Sequence, residues 1–116
     1  MSIKIRAWDS VAKKMTVGKL EQFDDMLGFR FHHFETEKPV YMLFTGLKDK
    51  NGKEIYEGDI IGIYNGARTL KFPVVFAQAC FWLEHENYED SDALYEWRRE
   101  DLEIFGNIYD NPELLK

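Results

Sequence analysis

The sequence predicts a mostly β protein, folded as a small antiparallel barrel or sandwich with short helical turns; a mixed α+β fold is the alternative. Three observations lead to this prediction. Apolar and polar residues alternate over residues 3–8, which is typical of a strand with one buried face. The dipeptide Asn51-Gly52 separates two apolar runs, as in a β-hairpin. The β-branched run 60–64 ends at Asn65-Gly66, a second turn signal.

The first third of the chain contains a predicted hairpin and a short helix. Residues 3–8 and 14–17 are the two strands of the hairpin, and the polar segment 9–13 is its turn. Apolar residues within 19–27 are spaced by three and four positions, which predicts a short helix that ends at Gly28. Alternation over residues 29–34 then predicts another strand.

The middle of the chain has the clearest local pattern. Residues 40–44 are β-branched, aromatic and apolar, so they predict a strand. Asn51-Gly52 tolerates positive φ at both positions, which predicts a type I′ turn. Residues 57–59 predict a second tight turn, in which Asp59 bonds to nearby backbone N–H groups and leads into the strand 60–64.

The last third is predicted to contain short strands and two helical turns. Residues 69–84 hold one or two strands, in which Pro73 marks an edge, a bulge or a strand start. Asp92 is the predicted cap of a helical turn through residue 96. A final strand pattern is expected over residues 102–109, and Asn111 caps a terminal turn that begins with a proline. The total is seven or eight short strands.

Length and composition describe one compact domain, residues 1–116, with 45% hydrophobic and 16% aromatic residues. No run of about 18 apolar residues is present, so we expect no membrane partner. The single cysteine, Cys80, fits a reducing compartment, which predicts a cytoplasmic protein. It lies among apolar residues and is interpreted as a small buried side chain.

Charge is distributed unevenly along the chain. Residues 1–83 have a net charge of +2, whereas residues 84–116 have a net charge of −8. The densest acidic stretch is residues 84–92, and its carboxylates are Glu84, Glu86, Glu89, Asp90 and Asp92. The simplest interpretation is a solvated loop or helix face. The alternatives are an acidic docking patch or a mimic of nucleic acid that binds a basic partner, because these carboxylates would repel a phosphate backbone.

Two short motifs are candidate binding sites. Arg6 and Trp8 share one face of the first predicted strand, which is either a second packed face or an exposed aromatic–cation surface. Tyr56, Glu57 and Asp59 surround the second tight turn, where they either stabilise the turn or bind a ligand.

Metal and catalytic motifs are absent from the sequence. The histidines are His32, His33 and His85, and none has zinc-ligand spacing. We find no P-loop, no dinucleotide-binding glycine pattern, no Gly-x-Ser-x-Gly and no Cys-x-x-Cys. The sequence therefore predicts a non-enzymatic protein without metal or cofactor.

Three segments together resemble one protein family. They are Arg6-Ala7-Trp8-Asp9, the central stretch 44–61, and the closing Gly-Asn-Ile-Tyr-Asp-Asn-Pro-Glu-Leu-Leu of residues 106–115. In this order they resemble the motifs of the YopX family of bacteriophage and prophage proteins. The resemblance implies a small protein of unestablished activity in a bacterial host cell, with association into a homodimer or larger oligomer. It implies no catalytic residue.

Three functions follow as hypotheses. The first is a phage or prophage accessory protein that binds a host or phage protein, which the acidic, aromatic-rich composition favours. The second is a small nucleic-acid-binding barrel, whose basic face would be Lys4, Arg6, Lys13, Lys14 and Lys19. The net charge of −6 argues against it, because backbone affinity needs clustered cations. The third is an enzyme, which would need a deep pocket with convergent polar groups.

Overall fold

The structure is a computed structural model, and it describes residues 3–20, 34–86 and 90–116. Within these ranges the chain is mostly β, as predicted, with two antiparallel sheets and short 3₁₀ turns. The strands are β1 Lys4–Asp9, β2 Lys14–Lys19, β3 Val40–Lys48, β4 Glu54–Tyr56, β5 Asp59–Tyr64, β6 Thr69–Ala77, β7 Cys80–Leu83, β8 Asp92–Ala93 and β9 Glu103–Asn107. The predicted helix 19–27 and most of the predicted strand 29–34 lie outside the described residues.

The chain divides into two compact units, residues 1–44 and residues 45–116. A single domain over residues 1–116 stays a prediction. In the first unit the order is β2-β1-β3, with antiparallel pairing that places Ala7 opposite both Thr16 and Tyr41. The predicted N-terminal hairpin is therefore confirmed.

The first strand differs from its prediction in one respect. Alternation predicts one buried face, but every side chain from Ile5 to Asp9 is buried. Ile5 and Ala7 pack with Phe34 in a small apolar cluster. Asp9 accepts backbone N–H groups from Val11, Ala12, Glu35 and Thr36. This carboxylate therefore holds both the hairpin turn and the segment that leads into β3.

The second unit contains the rest of β3, which pairs with β4, and a five-stranded sheet of order β8-β7-β6-β5-β9. Its core consists of fully or almost fully buried aliphatic side chains from four strands, one 3₁₀ turn and one loop. They are Ile55, Ile61, Ile63, Val74, Leu83, Leu94 and Leu102. The strand predicted at 40–44 continues to Lys48, and residues 69–84 form two strands.

The hairpin at Asn51-Gly52 is confirmed, but its predicted turn type is wrong. A type I′ turn needs positive φ at both central residues, and only Gly52 has it, at +83°. The Gly52 N–H instead donates to the Asp49 carbonyl at 3.0 Å, and the Asp49 N–H donates to the Lys53 carbonyl at 2.8 Å. The loop therefore consists of three residues, 50–52, closed by Asp49 and Lys53, with Gly52 as its left-handed residue.

The tight turn at 57–59 is confirmed with its predicted hydrogen bond. The Tyr56 N–H donates to the Asp59 carboxylate at 2.8 Å, and Gly58 has a φ of +89°. The turn is held from both sides, because Gly58 donates to the Val74 carbonyl and accepts the Ile108 N–H.

Two predictions about the last third need correction. Pro73 lies in the middle of β6, an interior strand, where pairing with β5 ends and pairing with β7 begins. A proline fits there because its missing N–H falls between the two ladders. Asp92 lies in β8, so the 3₁₀ turn Leu94–Glu96 has Ala93 as its cap, without a side-chain bond. Asn111 does occupy the N-cap position of the terminal turn Pro112–Leu115, but its side chain makes no capping bond and instead accepts the Asn107 N–H at 3.2 Å.

Candidate functional site

The structure places Arg6 and Trp8 among the buried residues, with 7% and 5% of their surfaces exposed. This is the result that the packed-face interpretation predicts. Their strand does not present the exposed aromatic–cation surface that a ligand would contact.

The second predicted motif is also largely enclosed. Tyr56 and Asp59 are buried, whereas Glu57 is half-buried. Because the Asp59 carboxylate holds the Tyr56 N–H, its position is explained by the turn that it stabilises.

The acidic run is exposed where the structure describes it. Glu84, Glu86 and Asp90 are exposed, and Asp92 is half-buried in β8. Glu89 lies outside the described residues. The run begins immediately after β7, so the β6–β7 hairpin determines where its first carboxylate lies.

A groove lies on the outer face of this hairpin. It has a volume of about 460 Å³, and we call it the Trp82 groove. Its lining residues are Val75, Phe76, Ala77, Gln78, Trp82, Glu84 and Ser91. Antiparallel pairing of Val75 with Trp82 and of Ala77 with Cys80 explains the apolar floor, because residues directly opposite each other share one face of a sheet. The groove has an apolar floor, with Gln78 at the hairpin turn and Glu84 and Ser91 at the opposite, polar end.

The Trp82 ring has a defined position in the groove. Its indole N–H donates to the Ala77 carbonyl at 2.9 Å, across the hairpin. A tryptophan held in this way presents a large apolar surface without losing further side-chain freedom when a partner binds.

The turn that connects β6 to β7 has an unusual backbone. Gln78 and Ala79 have φ values of 52° and 59°, so both central residues of this two-residue turn are left-handed, as in a type I′ turn. Neither residue is a glycine or an asparagine, and left-handed φ at such residues is uncommon. Gln78 also lines the groove. Backbone strain of this kind concentrates at functional sites.

The polar end of the groove is held by several contacts. The Glu84 N–H donates to the Pro73 carbonyl at 3.0 Å. Ser91 Oγ accepts the His85 N–H at 3.0 Å. The His85 ring stacks on Phe72 with 4.2 Å between centroids, and its Nε2 lies 3.2 Å from Asp92 Oδ2. The start of the acidic run is therefore anchored to β6 and β8.

Sequence reasoning did not single out Trp82. The available signal was weak. In residues 69–84, apolar residues occupy both alternating sets of strand positions, so the sequence does not reveal which face of the strand is buried. Val74 and Leu83 enter the core, and this leaves Val75 and Trp82 on the outer face. Cys80, predicted to be buried, is half-buried on β7.

Two further observations apply to the described part of the chain. Within residues 3–20, 34–86 and 90–116, no group of three or more histidine, cysteine, aspartate or glutamate side chains could hold a metal ion. Over the same ranges, none of the helices has the length and apolar character needed to cross a membrane. His32 and His33 lie outside these ranges.

A scan against protein families matches residues 4–116 to the family described as YopX protein. The chain belongs to the YopX family. The three motifs at its start, middle and end all lie within the matched residues, and each contains an aspartate or asparagine that bonds to backbone N–H groups. The resemblance read from these motifs is confirmed.

Solved structures of similar fold include two that span almost all of this chain. One is the crystal structure of protein EF1440 from Enterococcus faecalis, which is 28% identical, with a TM-score of 0.68 and 98% of each chain covered. The other is the crystal structure of YopX from Bacillus subtilis, which is 18% identical, with a TM-score of 0.63 and 100% of each chain covered. The second likeness concerns the fold alone. No curated protein matches the chain.

Proposed function

We propose that this YopX-family chain is a non-enzymatic protein-binding module encoded by a phage or prophage, and that the Trp82 groove is its contact surface. One observation carries the proposal. An apolar groove of about 460 Å³ lies beside a tryptophan of fixed orientation and ends at an exposed carboxylate, Glu84.

The groove has the features of an interface centre. Tryptophan is enriched among the residues that contribute most to protein–protein binding, and such residues lie in apolar pockets with polar rims. Val75 and Ala77 form the apolar floor, and Glu84 and Ser91 form the polar rim. Phe76, which is exposed, also lines the groove.

Two buried carboxyl groups, Asp9 and Asp49, have structural roles. Burial alone would raise the pKa of Asp9 and of Asp49, but hydrogen bonds from backbone N–H groups outweigh burial and lower both pKa values. A general acid at neutral pH needs a raised pKa. These two groups instead remain ionised and hold loops in place.

The nucleic-acid alternative loses one member of its predicted basic face, because Arg6 is buried. The groove also ends at a carboxylate that would repel a phosphate backbone. We expect the protein to act in the bacterial cytoplasm as a homo-oligomer, and light scattering after size-exclusion chromatography measures the oligomeric state.

The test is an affinity purification from bacterial lysate, with and without nuclease, using wild type, Trp82→Ala and the control Phe105→Ala. Phe105 is an exposed aromatic residue outside the groove. We expect a nuclease-resistant protein that wild type and the control retain and Trp82→Ala loses. That protein, once purified, should bind wild type directly in calorimetry, at least about tenfold more tightly than it binds Trp82→Ala.

A second variant separates loss of binding from loss of folding. Ala77→Arg fills the groove and leaves the tryptophan in the chain, so it should also abolish binding while the protein still melts cooperatively. Partners that bind all variants equally would contradict the proposal. Nuclease-sensitive material that elutes with moderate salt would support nucleic-acid binding instead.

A further inference from the structure

We propose, on the basis of the function proposed above, that the Trp82 groove binds an extended basic segment of a partner protein. In this segment an apolar side chain fills the groove, and a lysine or arginine two residues away pairs with Glu84. The proposal rests on the register of β7 and on the charge at the polar end of the groove.

The apolar position follows from the size and lining of the groove. A volume of about 460 Å³ is larger than one side chain needs, so the groove admits a leucine, methionine or aromatic residue together with part of the backbone that carries it. The Trp82 ring forms one wall, and its bond to the Ala77 carbonyl prevents it from closing over the floor.

The two-residue spacing between the partner's apolar and basic residues follows from the geometry of β7. Trp82 lies in β7 and Glu84 directly follows the strand, so their side chains project to the same side, with α-carbons about 6 to 7 Å apart. The bond from the Glu84 N–H to the Pro73 carbonyl keeps the backbone extended at this point. In an extended partner segment, side chains two residues apart also project to the same side with this separation. Residue i can therefore enter the groove while residue i+2 contacts the Glu84 carboxylate.

The charge of the partner follows from the surroundings of the groove. Glu84 is exposed at the groove, and Glu86 and Asp90 are exposed next to it in the acidic run. Residues 84–116 have a net charge of −8. Complementary charge increases the association rate of a basic partner and excludes acidic ones.

The experiment selects displayed random peptides of twelve residues against wild-type protein, with counter-selection on Trp82→Ala. We expect enriched peptides with an apolar residue and a lysine or arginine two positions apart. Glu84→Lys should weaken a selected basic peptide by about three- to tenfold and should shift a new selection towards aspartate or glutamate. Glu96→Lys, the same charge change at an exposed residue outside the groove, should change neither result.

The outcomes separate the two proposals. Enrichment that depends on Trp82 but selects no basic residue, or is unchanged by Glu84→Lys, overturns this inference and leaves the binding function intact. No enrichment that depends on Trp82, with a wild-type protein that is folded by thermal melting, counts against both. Fluorescence of Trp82 on titration with a selected peptide, compared with Trp82→Phe, confirms that the peptide lies in the groove.

Discussion

The Asp49 carboxylate accepts the backbone N–H of Ile104 at 3.0 Å, across 55 residues of sequence. Its other oxygen accepts the N–H groups of Asn51 and Lys53, both at 2.9 Å. Asp49 is fully buried. One side chain therefore shapes the loop between β3 and β4 and joins it to β9.

Asp49→Asn should destabilise the protein by about 1–3 kcal/mol, because the amide NH₂ group would face a backbone N–H that loses its acceptor. Urea denaturation at pH 7 measures the change. Asp90→Asn is the matched control, since Asp90 is exposed, and it should change the free energy of unfolding by less than about 0.5 kcal/mol. Equal effects of the two substitutions would show that the contact with Ile104 contributes nothing.

The stability of the wild type should decrease as the pH falls below about 4. The pKa of Asp49 lies below its ordinary value of 3.8 in the folded protein, despite the opposing effect of burial, because three N–H groups bind the charged form. The unfolded chain therefore takes up this proton first, and the stabilisation present above pH 3.8 is lost as the pH falls through the folded pKa. Asp9 contributes in the same direction.

The measurement is the free energy of unfolding from pH 7 to pH 3 for wild type and Asp49→Asn. The slope below pH 4 should be shallower in the variant, because one titrating group has been removed. An identical slope in the two proteins would place the acid sensitivity at other carboxylates.

Ala79→Gly should stabilise the protein by about 0.5–1 kcal/mol. Ala79 has a φ of 59°, where an alanine is strained and a glycine is not. The matched control is Ala67→Gly in another exposed turn, where φ is negative and glycine should only add flexibility to the unfolded chain. A melting temperature that rises in both variants, or in neither, would contradict the strain at the β6–β7 turn.

Gly62→Ala should destabilise the protein by about 1–3 kcal/mol. A β-carbon at this position would overlap the ring of Phe105 and would come within 2.9 Å of Thr69 Cγ2. Phe105 lies where the register between β5 and β9 shifts, so its ring is brought over the glycine by a bulge. The check is a double-mutant cycle with Phe105→Ala. Gly62→Ala should lower the free energy of unfolding by less in the Phe105→Ala protein than in wild type. Strictly additive effects of the two substitutions would exclude the overlap with the ring.

The turns at Asn51-Gly52 and Gln78-Ala79 show that tertiary contacts determine the backbone conformation of a turn. Asn51-Gly52 marks a reversal, and the reversal is present, but the loop adopts the geometry that lets Asp49 bond to Ile104. Gln78-Ala79 carries no turn signal, yet it adopts the left-handed pair of φ values expected at Asn51-Gly52. The turn joins β6 to β7, and the pairing of these two strands outweighs the preference of Gln78 and Ala79 for negative φ.

Patterns in the sequence were enough to predict the β class, the reversals at the glycine and asparagine positions, and membership of the YopX family, because each depends on residues close together in the chain or on motifs in order. Tertiary structure decided which residues are accessible. Arg6 and Trp8 alternate like a half-exposed strand but are buried. Trp82 and Glu84 meet in one groove because β6 directs Val74 into the core and Val75 outward. Alternation identifies two faces of a strand, and only packing against other strands decides which face meets a partner.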